Sequence, residues 1–217
     1  MTKAVKKRRR YDSPRRREQA AATRGAILEA AGRLFAERGY PATTMAAIAR
    51  EAGVALKTVY VVFETKAGVL RSLWNVLLRG GDSDAPVAEQ PWYREVLDEP
   101  EAEQQLRLNA RNSRTGKLRL GAVLEVIRSA APTDPEIAAL WERIQSEYHA
   151  NQRVIVESLN EKRALRPELD VARAADLLWT VNHPDVWQLL VGRQGWSPEQ
   201  YEQWCADTAC AQLLRAG

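Results

Sequence analysis

The chain is poor in several residue types on which chemistry is usually built: its 217 residues include two cysteines and two histidines. Cys205 and Cys210 stand five apart in a helical pattern, on different sides of one helix. That spacing suits neither a disulfide nor a zinc site, so buried bystanders is their expected role. His149 and His183 are far apart and outside any metal-ligand spacing, and no GxSxG nucleophile motif occurs. There is also no glycine-rich phosphate loop, no internal repeat and no run of sustained strand alternation. These absences argue against an enzyme, and no metal or cofactor is expected. They also leave an all-α chain as the reading of the fold. No apolar run approaches the roughly 18 to 20 residues that span a bilayer. The first residues, MTKAVKKRRRYDSPRRR, lack the hydrophobic segment of a signal peptide, and a cytoplasmic protein is expected.

What is present is an ordinary apolar fraction, 45%, beside 28% charged residues, enough to build a folded core. The length allows one sizeable core, or a module of about 60 residues beside a larger domain. The net charge of +4 conceals an asymmetry. Residues 1–66 hold 15 Lys and Arg against 6 Asp and Glu, whereas the remainder holds 17 against 22. A basic end of this kind seeks a polyanion, either nucleic acid or an acidic membrane surface. Residues 1–12, with Lys3, Lys6, Lys7, Arg8, Arg9 and Arg10, carry too little apolar surface to offset ordering entropy and read as an arm. Ser13 and Pro14 can open a helix, but Arg15, Arg16 and Arg17 in its first turn oppose the helix dipole unless an anion such as a phosphate neutralises them. Residues 1–17 have almost no apolar face to insert, so membrane attachment would rest on charge alone, and no membrane partner is expected.

From Thr23, Ile27, Leu28, Ala31, Leu34 and Phe35 recur at helical spacing until Gly39 supplies a stop. Thr43 and Thr44 can cap a short second helix with Met45, Ile48, Ala49 and Ala52 inward, ending at Gly53. Another short helix follows over Val54–Phe63. Two short helices joined tightly through a glycine describe a helix-turn-helix, over about residues 43–62. Thr65 can cap a fourth helix with Val69, Leu70, Leu73, Leu77 and Leu78 on one stripe, and residues 81–91 read as a loop. Further helical segments are predicted near 92–98, 101–112 and 116–130. Three later starts are sharper: Asp134 with Pro135, Asp170, and Ser197 with Pro198 and Gln200, a capping box. The first opens a long helix to about Asn160.

Residues 23–70, TRGAILEAAGRLFAERGYPATTMAAIAREAGVALKTVYVVFETKAGVL, resemble the N-terminal domain of the TetR family of transcriptional regulators. The matched points are Ile27, Ala30, Ala31, Leu34, Phe35, Gly39, Tyr40, Thr43, Thr44, Ile48, Ala49, Ala52, Gly53, Val54, Thr58, Tyr60, Phe63 and Lys66. The resemblance implies a three-helix DNA-binding domain followed by a larger helical ligand-binding and dimerisation domain, about nine or ten helices in all. It implies a homodimer whose two recognition helices enter successive major grooves of a palindromic operator. The expected division is a basic flexible arm over 1–19, the DNA-binding domain over 20–80 and the ligand and dimer domain over 81–217. A ligand-responsive repressor is the expected function, with an activator of the same family as the alternative and a basic-arm membrane-binding protein as the reading from another class. Carried over by position, the DNA contacts would be Thr43, Thr44, Leu56, Lys57, Thr58, Tyr60 and Lys66, with Arg8, Arg9, Arg10, Arg15, Arg16 and Arg17 of the arm. Ala55 stands where the family commonly has a serine, so the recognition helix lacks a side-chain cap. Val61 and Val62 replace polar or aromatic residues, which shifts base reading toward thymine methyls.

All seven tryptophans lie beyond residue 70. Trp141, Gln145, Tyr148 and His149 cluster on the long helix, and Trp179, Asn182 and His183 near the end of a later one. These are the candidate pocket residues for an apolar or aromatic small-molecule effector, although each aromatic is equally at home in a core. The resemblance puts the dimer interface on the helices from Val171 and Pro198. There Ala172, Ala175, Leu178, Trp204, Cys205 and Ala211 offer close packing positions, with the core of a single protomer as the alternative.

Overall fold

The computed structural model describes residues 14–79 and 87–215, and every segment in them is a helix or a connection between helices. The chain forms two compact units that divide between Val69 and Leu70. The basic residues Arg8, Arg9 and Arg10 lie outside the described residues.

In the first unit, α1 spans Pro14–Ala42, α2 Met45–Glu51 and α3 Leu56–Phe63, and α4, Lys66–Arg79, begins there. Helix α1 opens at Pro14, so Arg15, Arg16 and Arg17 form its first turn instead of continuing the arm to residue 19. Near its end Gly39 (φ 72°, ψ 174°) breaks the helical path, a conformation that a side chain would strain. Ile27, Leu28, Ala31, Leu34 and Phe35 are all buried, as are Met45, Ile48 and Ala49 of α2 and Val59 and Phe63 of α3. Each short helix therefore contributes only two or three anchors, and tertiary packing supplies what so few turns cannot. Arg33 of α1 also pairs with Glu29 and with Glu51 of α2, at 2.8 and 3.2 Å.

In the second unit, α5 spans Pro91–Asp98, α6 Ala102–Ala130, α7 Pro135–Glu161, α8 Val171–Val181, α9 Pro184–Trp187 and α10 Pro198–Leu213. The predicted starts hold in detail. Asp134 accepts from the amides of Glu136 and Ile137, Asp170 from that of Arg173, and Ser197 with Gln200 makes the reciprocal capping box. One prediction fails: residues 102–130 form one continuous helix, not two segments parted near 112–116. The polar stretch Arg111–Gly116 looked like a break, yet Arg111 and Arg114 face Glu202 and Glu199 of α10, while Asn112, Ser113 and Gly116 line an internal cavity. Gly116 costs such a helix only about 1 kcal/mol, which the packing on both sides absorbs. Tyr93, Val96, Leu106, Ile155, Leu159, Ala174, Ala175, Leu178 and Leu213 draw α5, α6, α7, α8 and α10 into one core. A second cluster joins Trp187, Tyr201, Cys205 and Ala206.

Among the described glycines, Gly68 has the least room for a side chain. A Cβ built there would lie 2.2 Å from the Phe63 carbonyl oxygen, where α3 hands over to α4. Replacement of Gly68 by alanine is expected to destabilise the protein by about 1–3 kcal/mol in urea unfolding, the usual cost of overpacking. An unchanged midpoint would show that the turn between α3 and α4 has slack.

Candidate functional site

The surface of the helix-turn-helix is built by burying one side of each short helix and leaving the other in solvent. Thr44 caps α2, its hydroxyl accepting from Ala47 N at 3.1 Å, and it remains exposed. On α3 the buried pair Val59 and Phe63 turns Leu56, Lys57, Tyr60 and Val61 outward, with Tyr60 49% and Val61 73% exposed. Thr58 sits half-buried at the flank. Large apolar side chains held in water on a two-turn helix gain nothing for the fold, and the mixture of one cation, one phenol and two branched aliphatics fits a groove carrying phosphates and thymine methyls. Ala55 leaves α3 without a side-chain cap. Arg15, Arg16 and Arg17 are exposed on the first turn of α1, which holds no acidic residue.

Two of the predicted DNA contacts are engaged inside the unit. Thr43 is only 1% exposed, and its hydroxyl reaches the carbonyls of Gly39 at 2.8 Å and Leu34 at 3.1 Å. It closes the end of α1 and does not face solvent, which removes it from the DNA-contact set. Lys66 is half-buried; its Nζ donates to the Tyr40 carbonyl at 2.8 Å and lies 4.1 Å from the Tyr40 ring centre, fastening the start of α4 to the end of α1.

The second unit holds a partly open cavity of about 400 Å³, which lies between α6 and α7 and is bounded also by α5 and the end of α4. Asn109 donates to Gln152 Oε1 at 3.0 Å, and Lys117 lies 6.0 Å from the ring centre of Tyr148, so the two helices run antiparallel. This register separates the wall. Asn109, Ser113, Lys117, Gln145, Tyr148 and Gln152 form a polar stretch, and Leu120, Leu124 and Ile144 continue it as an apolar one; Trp74 and Trp92 also line the cavity, the latter accepting from Asn112 through its carbonyl at 2.8 Å. Both polar atoms of the Gln145 side-chain amide are buried without a hydrogen-bond partner. Lys117 is buried; its Nζ donates to Asn182 O at 2.8 Å and to Ser113 Oγ at 2.5 Å. Tyr148 OH donates to the same Asn182 carbonyl at 2.9 Å. Desolvation pushes the Lys117 ammonium down to about 7 from its ordinary 10.5, and pushes the Tyr148 phenol well above its usual range.

Of the predicted pocket residues, the structure brings Gln145 and Tyr148 to the cavity. Trp141, His149, Trp179, Asn182 and His183 lie outside its wall. His149 bonds Asp176 at 2.8 Å and packs edge-on against Trp179, which packs in turn against His183 at 4.6 Å. His183 caps α9, and the buried Asn182 ends α8. These aromatics pin α7 to α8; the cavity is on the other side of α7, against α6. Sequence reasoning missed Asn109, Ser113 and Lys117. Their signal was present: they sit four apart and continue the inward stripe that Leu120, Leu124 and Ile127 complete. Of the predicted dimer residues, Ala175, Leu178 and Cys205 are at most 1% exposed within one protomer and belong to its own core. Trp204 is half-buried, and Ala172 and Ala211 are exposed.

A family model described as "Bacterial regulatory proteins, tetR family" matches residues 27–73, the segment that builds the helix-turn-helix and its outward face. Over that segment the chain is similar to the TetR family. Over 164 residues, 74% of this chain and 77% of the relative, it is 29% identical to "Probable HTH-type transcriptional regulator ArpR" of Pseudomonas putida. The TetR-type fold extends over most of the length. A complex of SmeT, the repressor of the Stenotrophomonas maltophilia multidrug efflux pump SmeDEF, with triclosan superposes with a TM-score of 0.71 at 19% identity, covering 90% of this chain and 93% of the other. NalD, the secondary repressor of the MexAB-OprM multidrug efflux pump of Pseudomonas aeruginosa, gives 0.70 at 21% identity, covering 91% and 100%. These matches support a DNA-binding transcriptional regulator, and among the described residues no helix is long and apolar enough to cross a membrane.

The buried lysine makes stability depend on pH with a definite sign. Its folded pKa lies below the unfolded value, so the unfolded chain binds the extra proton between about pH 7 and 10, and stability rises with pH across that window. The gain attributable to Lys117 is about 2 kcal/mol between pH 7 and 9. It should appear as the difference in urea midpoints between the parent and Lys117→Met over this range; parallel pH profiles would contradict it.

Proposed function

We propose that the protein is a ligand-responsive repressor that binds a palindromic operator as a homodimer. In this reading residues 20–80 read DNA through α3, while residues 81–217 hold the effector cavity and the dimer surface. The observation that carries the DNA half is the outward face of α3, where Leu56, Lys57, Tyr60 and Val61 are left in solvent by the burial of Val59 and Phe63. Lys57 supplies a donor for a base edge or phosphate, Tyr60 a hydroxyl for phosphate, and Leu56 and Val61 surfaces for thymine methyls. Thr44 and Thr58 flank this set, and Arg15, Arg16 and Arg17 add charge for the backbone. The cavity of about 400 Å³ supports the effector half, being of the size that small-molecule sites have. That SmeT was solved with triclosan, and that NalD and SmeT are named as repressors, supports the same reading. For the dimer, Ala172, Trp204 and Ala211 on α8 and α10 are the predicted positions still open to a partner.

Selection of bound duplexes from a random pool, followed by titration at several salt concentrations, tests the reading. The expected outcome is a two-fold symmetric site bound by two chains, with affinity falling steeply as salt rises. Lys57→Ala and Tyr60→Phe should each weaken that site by about 1–3 kcal/mol without changing the unfolding midpoint. Equal affinity for selected and random DNA across salt would contradict the proposal.

A further inference from the structure

The cavity wall holds a feature that an effector site for neutral apolar molecules does not require. Lys117 is a buried cation, and among the described residues no carboxylate pairs with it. Its own bonds go to a hydroxyl and a carbonyl, which leaves one of its three N–H donors unused in the structure. Glu125 and Asp185 border a small crevice beside it but pair with Arg128 instead, and the other titratable groups packed around it are neutral near pH 7. Tyr148 of α7 and Tyr201 of α10 present ring faces 6.0 and 5.3 Å away, and burial raises both phenols. Burial raises the Cys205 thiol of α10 to about 11 and lowers the imidazole of His183, between α8 and α9, so neither adds an anion. Glu147 and Arg119 also border the cavity, but both are exposed and neither bonds Lys117. An isolated ammonium in such a place is costly, and a methionine of similar volume would carry no charge to desolvate. Gln145 repeats the pattern, with an amide whose donor and acceptor are both buried and unpartnered. Beyond this polar stretch the wall is apolar and aromatic: Trp74, Leu120, Leu124 and Ile144.

We propose that the cavity takes an amphipathic organic acid, its carboxylate paired with Lys117 and hydrogen-bonded by Gln145, and its aromatic or aliphatic body lying against Trp74, Leu120, Leu124 and Ile144. This rests on the reading of the cavity as an effector site and names the chemical class of that effector. The carboxylate supplies the missing counter-charge, and the amide of Gln145 gains a partner at the same moment. Because Lys117 lies near its neutral point when alone and is charged when paired, binding of the anion draws a proton from solution.

The test uses the full-length protein without DNA, so that its outcome is independent of operator binding. The probes are 1-naphthylacetate and its neutral counterpart 1-naphthylacetamide, titrated calorimetrically at pH 8 in buffers of different ionisation enthalpy. The acid is expected to bind roughly tenfold or more tightly than the amide, the ratio that one charge-assisted hydrogen bond supplies, with uptake approaching one proton per ligand. In Lys117→Met that preference and the proton uptake should both vanish while the amide still binds, which shows the cavity intact. In Lys117→Arg the preference should persist without proton uptake. Equal binding of acid and amide by the parent protein, or an acid preference that survives in Lys117→Met, would overturn the proposal. Tight binding of the amide alone would overturn it too, yet leave the effector reading of the cavity standing.

Discussion

One carbonyl oxygen organises the larger unit. At the C-terminal end of α8, where helix carbonyls are unsatisfied and the dipole is negative, Asn182 O accepts from Lys117 of α6 and from Tyr148 of α7. The site is buried, so both donors must be present and aimed correctly; a buried carbonyl without them would forfeit its hydration with no return. Three helices are thereby fixed to one atom. Helix α6 has to run unbroken through Gly116 to deliver Lys117, and α7 has to approach it with the face that carries Tyr148 and Gln145. The space that remains between α6 and α7 beside this junction is the cavity.

The same junction explains why the protein tolerates polar groups in its interior. The unpaired amide of Gln145 and the isolated ammonium of Lys117 reduce stability, and the aliphatic core formed by Leu106, Ile155, Leu159, Leu178 and Leu213 offsets them. The first unit shows a parallel concession on a smaller scale. Helix α3 has no side-chain cap and holds large apolar side chains in solvent, and Val59 and Phe63 are its only fully buried anchors. Both concessions fall on the surfaces to which ligands are assigned, where consistency between local preference and global fold is expected to lapse.

Local signals explain how much could be read in advance. Capping residues act over three positions in the chain, so Thr44, Asp134, Asp170 and the Ser197–Gln200 box marked their helices correctly. The helix-turn-helix was legible for the same reason: its inward residues are consecutive turns of short helices. What failed depends on which helix faces which. The polar run through Asn112, Ser113 and Gly116 is indistinguishable in sequence from a loop unless the neighbours of α6 are known. Trp179, His149 and His183 form an amphipathic aromatic cluster whether they line a cavity or fasten α7 to α8. Thr43 serves DNA or the end of α1 according to a hydroxyl orientation that no spacing encodes, and Ala175, Leu178 and Cys205 satisfy the pattern of an interface as well as that of a core.

Linkage requires that an effector in the proposed cavity and DNA on the outward face of α3 alter each other's binding by the same factor. The most direct measurement is the affinity of 1-naphthylacetate for the protein alone and for the protein saturated with its selected duplex. The account predicts weaker binding of the acid to the DNA-bound protein, by the same factor by which saturating acid lowers the affinity for DNA, with a tenfold effect corresponding to about 1.4 kcal/mol of coupling. Identical affinities for the acid with and without the duplex would contradict it.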